Sequence, residues 1–347
     1  MTLYMRGKGV KRTELIAALA TLSLAACPGA GYVAVDEARE LYFGIPSRIH
    51  ALLPRGHEDG LRLAWAEFER IGRVVNPFDP ASEVARLNSA LKYGPVEVSS
   101  DVWALFLASR RAWEETGGAF DPTVWPLKVL WREAAHAGRM PAKEAEARAR
   151  VGLGRVKADK EGRLVFEVPD AGLDFGGIAK GYAVDRVASL LRGLGAASGM
   201  VQCGGEVQVW GLARDRSPWR IGVRDPDRVG QAVGVITGKE FLAVSTTGNY
   251  EQPVMVNGEV HGHVIDPRTG VPTGQTVLSV TVAVLKGDDA NTRADALATG
   301  LYVLGPEHGL AIVESLDGVA ALFLVRAEDG SVHQMVSSRM APIYRPL

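Results

Sequence analysis

Cysteine is nearly absent: Cys27 and Cys203 are the two in 347 residues, too few for a disulfide framework. Any stability must therefore come from a packed core. Charge of one sign is lacking as well. Lys and Arg number 39 against 40 Asp and Glu, a formal net charge of -1, and no stretch gathers cations as a nucleic-acid groove would require. DNA and RNA are excluded as partners on that ground. Long apolar runs are also missing. The run "LIAALATLSLAA" at 15–26 would cover only ~18 Å as a helix, against a hydrocarbon core of ~30 Å. There is no internal repeat and no long linker. What is present is apolar material, 47% of residues, and 40 glycines, enough for a sizeable core with many tight turns.

The first residues differ in kind from the rest. "MTLYMRGKGVKRTE" carries Arg6, Lys8, Lys11 and Arg12 against Glu14 alone and precedes the short apolar run, the pattern of a secretory leader. Its end, "LAAC" at 24–27, resembles the bacterial lipobox, in which the cysteine is acylated and becomes the new first residue. The expectation is a signal peptide at 1–26, a lipidated Cys27, a tether over 27–37 and an exported, membrane-anchored domain over 38–347. An ordinary signal peptide cut after Ala26 is the alternative. Loss of the leader removes four bases and one acid, taking the net charge from -1 to -4.

Helices and strands then interleave. Leu61, Trp65, Phe68, Ile71 and Val75 recur at helical spacing, and "SSDVWALFLASRRAWEETGG" at 99–118 has a serine cap, an amphipathic body and a glycine stop. Pro141 is expected to open a third helix, and Ile178 to Leu194 a fourth, stopped at Gly195. "MVQCG", "VQVWG", "WRIGVRD", "AVGVIT", "FLAVST" and "TVLSVTVAVL" read as strands of a largely antiparallel sheet. Helices follow near 290–303 and 306–316, then a strand at 319–325. Helices gathered early and strands later predict a single α+β domain of layered antiparallel sheets with packed helices.

Several short stretches carry chemistry. In "LDFGGIAKGYAVD", 173–185, Gly176 and Gly177 allow a ligand close to the backbone, and the following helix start offers N–H groups and a positive dipole end. Lys180 adds a cation for phosphate, and Asp174 could accept from a ring N–H or a hydroxyl. A tight turn is the plain alternative. In "TRADALATG", 292–300, Asp295 and Thr299 share one helical face, an oxygen pair suited to a hard cation such as magnesium, with one backbone carbonyl to help. Asp295 is expected to be partly solvated, so that its loss should spare the fold. The plain alternative makes Thr299 a local back-bonder. "HGHVIDPRTGVP", 261–272, reads as a turn capped by Asp266 that points His263 into a site, and "AVSTTGNYEQ" ends a strand in three hydroxyls.

Taken in order, "FGIPSRI", "NPFDPASEVARLN", "GGAFDPTVWPL", "LDFGGIAKGYAVDRV", "QCGGEVQVWG", "AVSTTGNYEQ", "HVIDPRTGVP" and "DALATGLYVLG" resemble the ApbE family, FAD:protein FMN transferases with a T-fold-like architecture. The resemblance covers roughly 38–325. It implies FAD contacts at Phe43, Phe78, Ala119, Phe120, Asp121, Asp174, Lys180 and Ile265. It implies magnesium held by the Gly177 carbonyl, Asp295 and Thr299, and a catalytic role for His263 beside Asp295. The implied reaction moves FMN from FAD to a threonine hydroxyl of an acceptor flavoprotein, with AMP leaving. By analogy the acceptor is a subunit of an NADH:quinone reductase or an Rnf-type complex. An FAD pyrophosphatase and a non-catalytic FAD-binding lipoprotein are the alternatives. The chain departs from the usual family pattern at "FGIP", at Pro77-Phe78, and at Gln202-Cys203 before the glycine pair.

Overall fold

A computed structural model of the chain describes residues 31–41, 44–90, 95–238, 240–248, 254–256, 259–274 and 276–347. The leader, Cys27 and Phe43 lie outside the described residues. Two strands come first, β1 (Tyr32–Leu41) and β2 (Ile45–Pro54), then helices α1 (Gly60–Val75), α2 (Glu83–Ala90), α3 (Ser100–Glu115), α4 (Trp125–Ala137) and α5 (Glu144–Arg148). Strands β3 (Val156–Ala158) and β4 (Leu164–Phe166) lead to α6 (Ala179–Gly193). The strand-rich stretch holds β5 (Ser198–Cys203), β6 (Glu206–Trp210), β7 (Trp219–Arg224), β8 (Ala232–Gly238), β9 (Phe241–Gly248), β10 (Val254–Val256), β11 (Glu259–His261) and β12 (Val277–Val284). Helices α7 (Ala290–Leu304) and α8 (Pro306–Ser315) and strands β13 (Val319–Arg326), β14 (Val332–Val336) and β15 (Tyr344–Pro346) complete the chain.

Eight strands form one sheet in the order β1-β2-β5-β6-β9-β12-β13-β14, every neighbouring pair antiparallel. Side-chain alternation gives the sheet two different faces. Val280, Val282 and Val284 of β12 face a helical layer with Leu297 and Leu301 of α7, whereas Ala283 faces the small sheet β15-β8-β7 with Ile236 and Tyr344. Strand β12 is buried on both faces, which explains a sequence that is apolar but for Ser279 and Thr281. Along the same helical layer, α1 and α6 pack Trp65, Phe68, Val184 and Leu191 on Ile49 and Leu53 of β2. Each such side chain contributes about 1.5–3 kcal/mol by leaving water. A further layer, α3 with Phe106 and Leu105, closes over Phe120, Phe175 and Ala296. The α+β expectation is met. Among the described residues no helix is long and apolar enough to cross a membrane.

Several expectations about elements change. Residues 32–37, read as tether, are strand β1, paired along its whole length with β2. The helix expected from Pro141 is the five-residue α5, beginning at Glu144. Ser99 caps α3 as its sequence predicts, accepting from the Val102 N–H, and Gly195 ends the turn after α6 with φ of +85°.

Candidate active site

Helices α6 and α7 bring the two central motifs together. They can lie close because Gly181 has no side chain: a methyl group there would stand 2.2 Å from the Asn291 carbonyl oxygen. Asp185, one turn further along α6, caps α7 from outside, accepting from the Asn291 and Thr292 N–H groups and the Thr292 hydroxyl at 2.6–3.0 Å. On its other side α7 meets Thr116 and Phe120, with Gly300 as the gap that admits them. The positions of Asp295 and Thr299 are thereby fixed from two sides.

The Thr299 hydroxyl reaches across to the Gly177 carbonyl at 3.3 Å instead of bonding back into its own helix. One turn away, Asp295 is 1% exposed, accepts from the Gly181 N–H at 2.9 Å and lies 3.5 Å from the Lys180 ammonium. The expectation of partial solvation is overturned: α6 covers this carboxylate, because the glycine lets the two backbones approach. Lys180 also lies 3.5 Å from Glu206, an equally buried acid that the Ser245 hydroxyl contacts at 3.1 Å. Among the described residues no cluster of three or more His, Cys, Asp or Glu forms a metal centre. The candidate donors are one carboxylate, one hydroxyl and one main-chain carbonyl, hard oxygens of the kind magnesium prefers. A side chain at residue 177 would spoil the set, since a methyl would sit 3.0 Å from the Thr299 hydroxyl.

Two cavities meet beside these oxygens. The larger, about 830 Å³, runs between β2, α1 and the small sheet, with Phe78, Gln202, Cys203, Trp219 and Thr246 among its walls. Its size is that of a cofactor site. The smaller, about 90 Å³, is walled by Ala119, Phe120, Asp121, Gly177, Thr247, Ile265 and Thr299. Lys128, Asp174, Gly176, Lys180 and His263 line both and form the junction. Phe78 is half exposed, its ring 5.1 Å from Trp125 with the Arg132 guanidinium 4.4 Å from its centre.

Three assignments take a more definite form. Asp121, expected to hold the cofactor, already uses both oxygens internally: it accepts from Thr123 N–H and hydroxyl and from Leu153 N–H. It shapes the small cavity, and burial raises its pKa. Asp174 accepts from the Gly176 N–H at 2.6 Å and pairs with Lys128 at 2.7 Å. The helix start expected to offer free amides offers few: Ile178 and Ala179 both donate to the Phe175 carbonyl, and Gly176 and Gly181 donate to carboxylates. Lys128 and Lys180 are the cationic side chains that line the junction.

His263 sits on the loop after β11, where Asp266 accepts from the Arg268 N–H and pairs with its guanidinium, and Gly270 takes a φ of +85°. Burial, with the Lys128 and Lys180 charges beside it, pushes its pKa down to about 4. Its Nδ1 has no protein partner. The imidazole is thus neutral at physiological pH and able to accept a proton. Lys128 and Glu206 escaped the sequence reading. A lone lysine inside the apolar "VWPLKVLW" was the one signal for the former.

The ApbE family profile matches residues 43–323. The chain belongs to the ApbE family. It is 34% identical over 265 residues to an FAD:protein FMN transferase of Vibrio cholerae, covering 76% of this chain and 78% of that protein. A second such transferase, from Haemophilus influenzae, is 31% identical over 285 residues, 78% of this chain and 81% of the relative. Among solved structures, the flavin transferase ApbE from Vibrio cholerae superposes with a TM-score of 0.77 at 29% identity, covering 90% of this chain and 100% of its own. The ApbE protein of Thermotoga maritima gives 0.77 and 29%, covering 90% and 99%. The fold is that of ApbE flavin transferases.

Proposed function

We propose that this chain is a magnesium-dependent FAD:protein FMN transferase that attaches FMN through a phosphoester to a threonine of an exported flavoprotein. The observation that carries the reading is the Thr299 hydroxyl meeting the Gly177 carbonyl in the wall of the smaller cavity, with Asp295 one turn away on the same helix and a cavity of cofactor size alongside. Gly177, Asp295 and Thr299 would hold a magnesium ion, which would supply Lewis-acid withdrawal of charge from the pyrophosphate. Phe78 offers an aromatic face in the larger cavity. Lys180 presents a cation to the phosphates, and the buried Asp295 and Glu206 hold that ammonium in position. His263, neutral, accepts a hydrogen bond from the incoming hydroxyl and takes its proton only as the bond to phosphorus forms and makes that proton acidic. The threonine oxygen forms its bond to the FMN phosphorus as the bond to the AMP oxygen breaks, and AMP carries the electron pair away. Location is part of the proposal: an exported enzyme, held at a membrane by a lipid on Cys27, acting on acceptors of the NADH:quinone reductase or Rnf kind.

The test mixes the enzyme, FAD, Mg²⁺ and an acceptor protein bearing a flavinylation threonine, and looks for a fluorescent acceptor band on a denaturing gel. Asp295→Asn should lower labelling ~100–1,000-fold, the usual effect of removing one group that stabilises transition-state charge. Free FMN and AMP without labelled acceptor would point to hydrolysis instead. An Asp295→Asn enzyme as fast as the wild type would sink the metal assignment.

A further inference from the structure

The junction between the cavities holds one cation that no motif anticipated. Lys128 projects from the first turns of α4, a helix fixed by buried Leu127 and by Trp131, whose indole N–H donates to the Gly270 carbonyl at 2.9 Å. Its ammonium pairs with Asp174 at 2.7 Å and lies beside Gly176, since a methyl there would come within 3.1 Å of it. An ammonium has three donors. Asp174 is nearly fully buried, whereas the Lys128 side chain keeps a third of its surface open and faces both cavities. The amides of Gly176, Ile178, Ala179 and Gly181 are engaged by protein acceptors, which leaves the backbone few donors for a phosphate at that helix start. Three buried carboxylates, Asp174, Glu206 and Asp295, surround the junction. Lys180 is flanked by two of these acids, so Lys128 is the second ammonium that a pyrophosphate passing there would meet.

We propose that Lys128 is a further catalytic residue: its ammonium contacts the pyrophosphate at the junction of the two cavities and offsets the charge that grows on the departing nucleotide. The inference rests on the flavin-transfer reading. In the step, the acceptor oxygen–phosphorus bond forms, the bridging phosphorus–oxygen bond breaks, and the oxygen that keeps the electron pair belongs to AMP. Lys128 donates a hydrogen bond to phosphate oxygen throughout and keeps its own proton. Its Asp174 partner, 2.7 Å away, holds the ammonium beside the junction.

A bland alternative makes Lys128 a counterion that lets Asp174 be buried, and the experiment separates the two. Equilibrium binding of FAD, ADP and riboflavin is measured for the wild type, Lys128→Met, Lys128→Arg, Asp174→Asn and the double variant Lys128→Met/Asp174→Asn. The double variant leaves no unpaired buried charge, so it stays folded where Lys128→Met alone could fail. Loss of one charge-assisted hydrogen bond predicts FAD and ADP binding weaker by ~10–100-fold in Lys128→Met, and in the double variant relative to Asp174→Asn. Riboflavin, which has no phosphate, should bind unchanged, and Lys128→Arg should recover most of the affinity. Equal FAD affinity in the double variant and Asp174→Asn would overturn the proposal, as would a parallel loss of riboflavin. A wild type that binds no FAD would instead refute the flavin-transfer reading itself.

Discussion

Gly181→Ala is the sharpest probe of how the site is built. The added methyl would lie 2.2 Å from the Asn291 carbonyl oxygen and 2.8 Å from the Asp295 Cβ. Ordinary contact is more than 3 Å, so α7 must retreat from α6 by about 1 Å. Overpacking of this kind against backbone costs ~3 kcal/mol, offset by ~1 kcal/mol of improved helix propensity. A net loss of about 2 kcal/mol in a domain of this size lowers the melting temperature by ~3 °C. The catalytic effect should be larger, because the same retreat carries Asp295 and Thr299 away from Gly177. Misplacement by about 1 Å can cost ~100-fold in rate. Gly193→Ala, on the same helix, is the control: its methyl meets nothing within 4 Å, so both stability and rate should hold or improve slightly. Thermal melts and flavinylation rates over a Mg²⁺ titration would be compared for both variants. A Gly181→Ala enzyme that melts and turns over like the Gly193→Ala enzyme would refute the claim that close helix packing sets the metal oxygens.

His263 makes stability depend on pH. Its folded pKa of about 4 lies below the ordinary 6.5, so its contribution is complete above 6.5 and is lost as pH falls toward 4. With allowance for its partial exposure this amounts to about 2 kcal/mol. Asp185 works in the opposite sense over the same range, because burial lifts its pKa from 3.8 to about 7 and stability falls as pH rises through that interval. The clean measurement is therefore a difference: denaturant unfolding of wild type minus His263→Gln should shrink between pH 7 and pH 4.5, and parallel curves would contradict the buried neutral imidazole. Asp185→Ala strips the acceptor from three donors at the start of α7 and should cost about 2 kcal/mol in the same assay, with metal affinity falling alongside.

Much of this was legible in the chain. Asp295 and Thr299 were readable as one helical face because a period of 3.6 is a local property, and α3 announced itself through its serine cap and glycine stop. The sheet's interior strands were legible for the same reason. Strand β1 was not: "YVAVDEAREL" alternates weakly, carries four charges, and is a strand because β2 lies beside it. Lys128 and Glu206 were hidden for a related reason, since their partners, Asp174 and Lys180, are distant in sequence. Local pattern also misjudged the solvation of Asp295. Its burial depends on Gly181, more than a hundred residues away, and no helical periodicity reports that.

Strand β1 begins at Tyr32 and is bonded into the sheet from its first residue. If Cys27 carries a lipid, only residues 28–31 separate the anchor from a rigid body, a leash of about 14 Å when fully drawn out. Such an enzyme cannot sweep far from its bilayer. So anchored, it would serve acceptors that present their site close to the same surface, and inserting a longer leash at Gly31 would widen the range of partners within its reach.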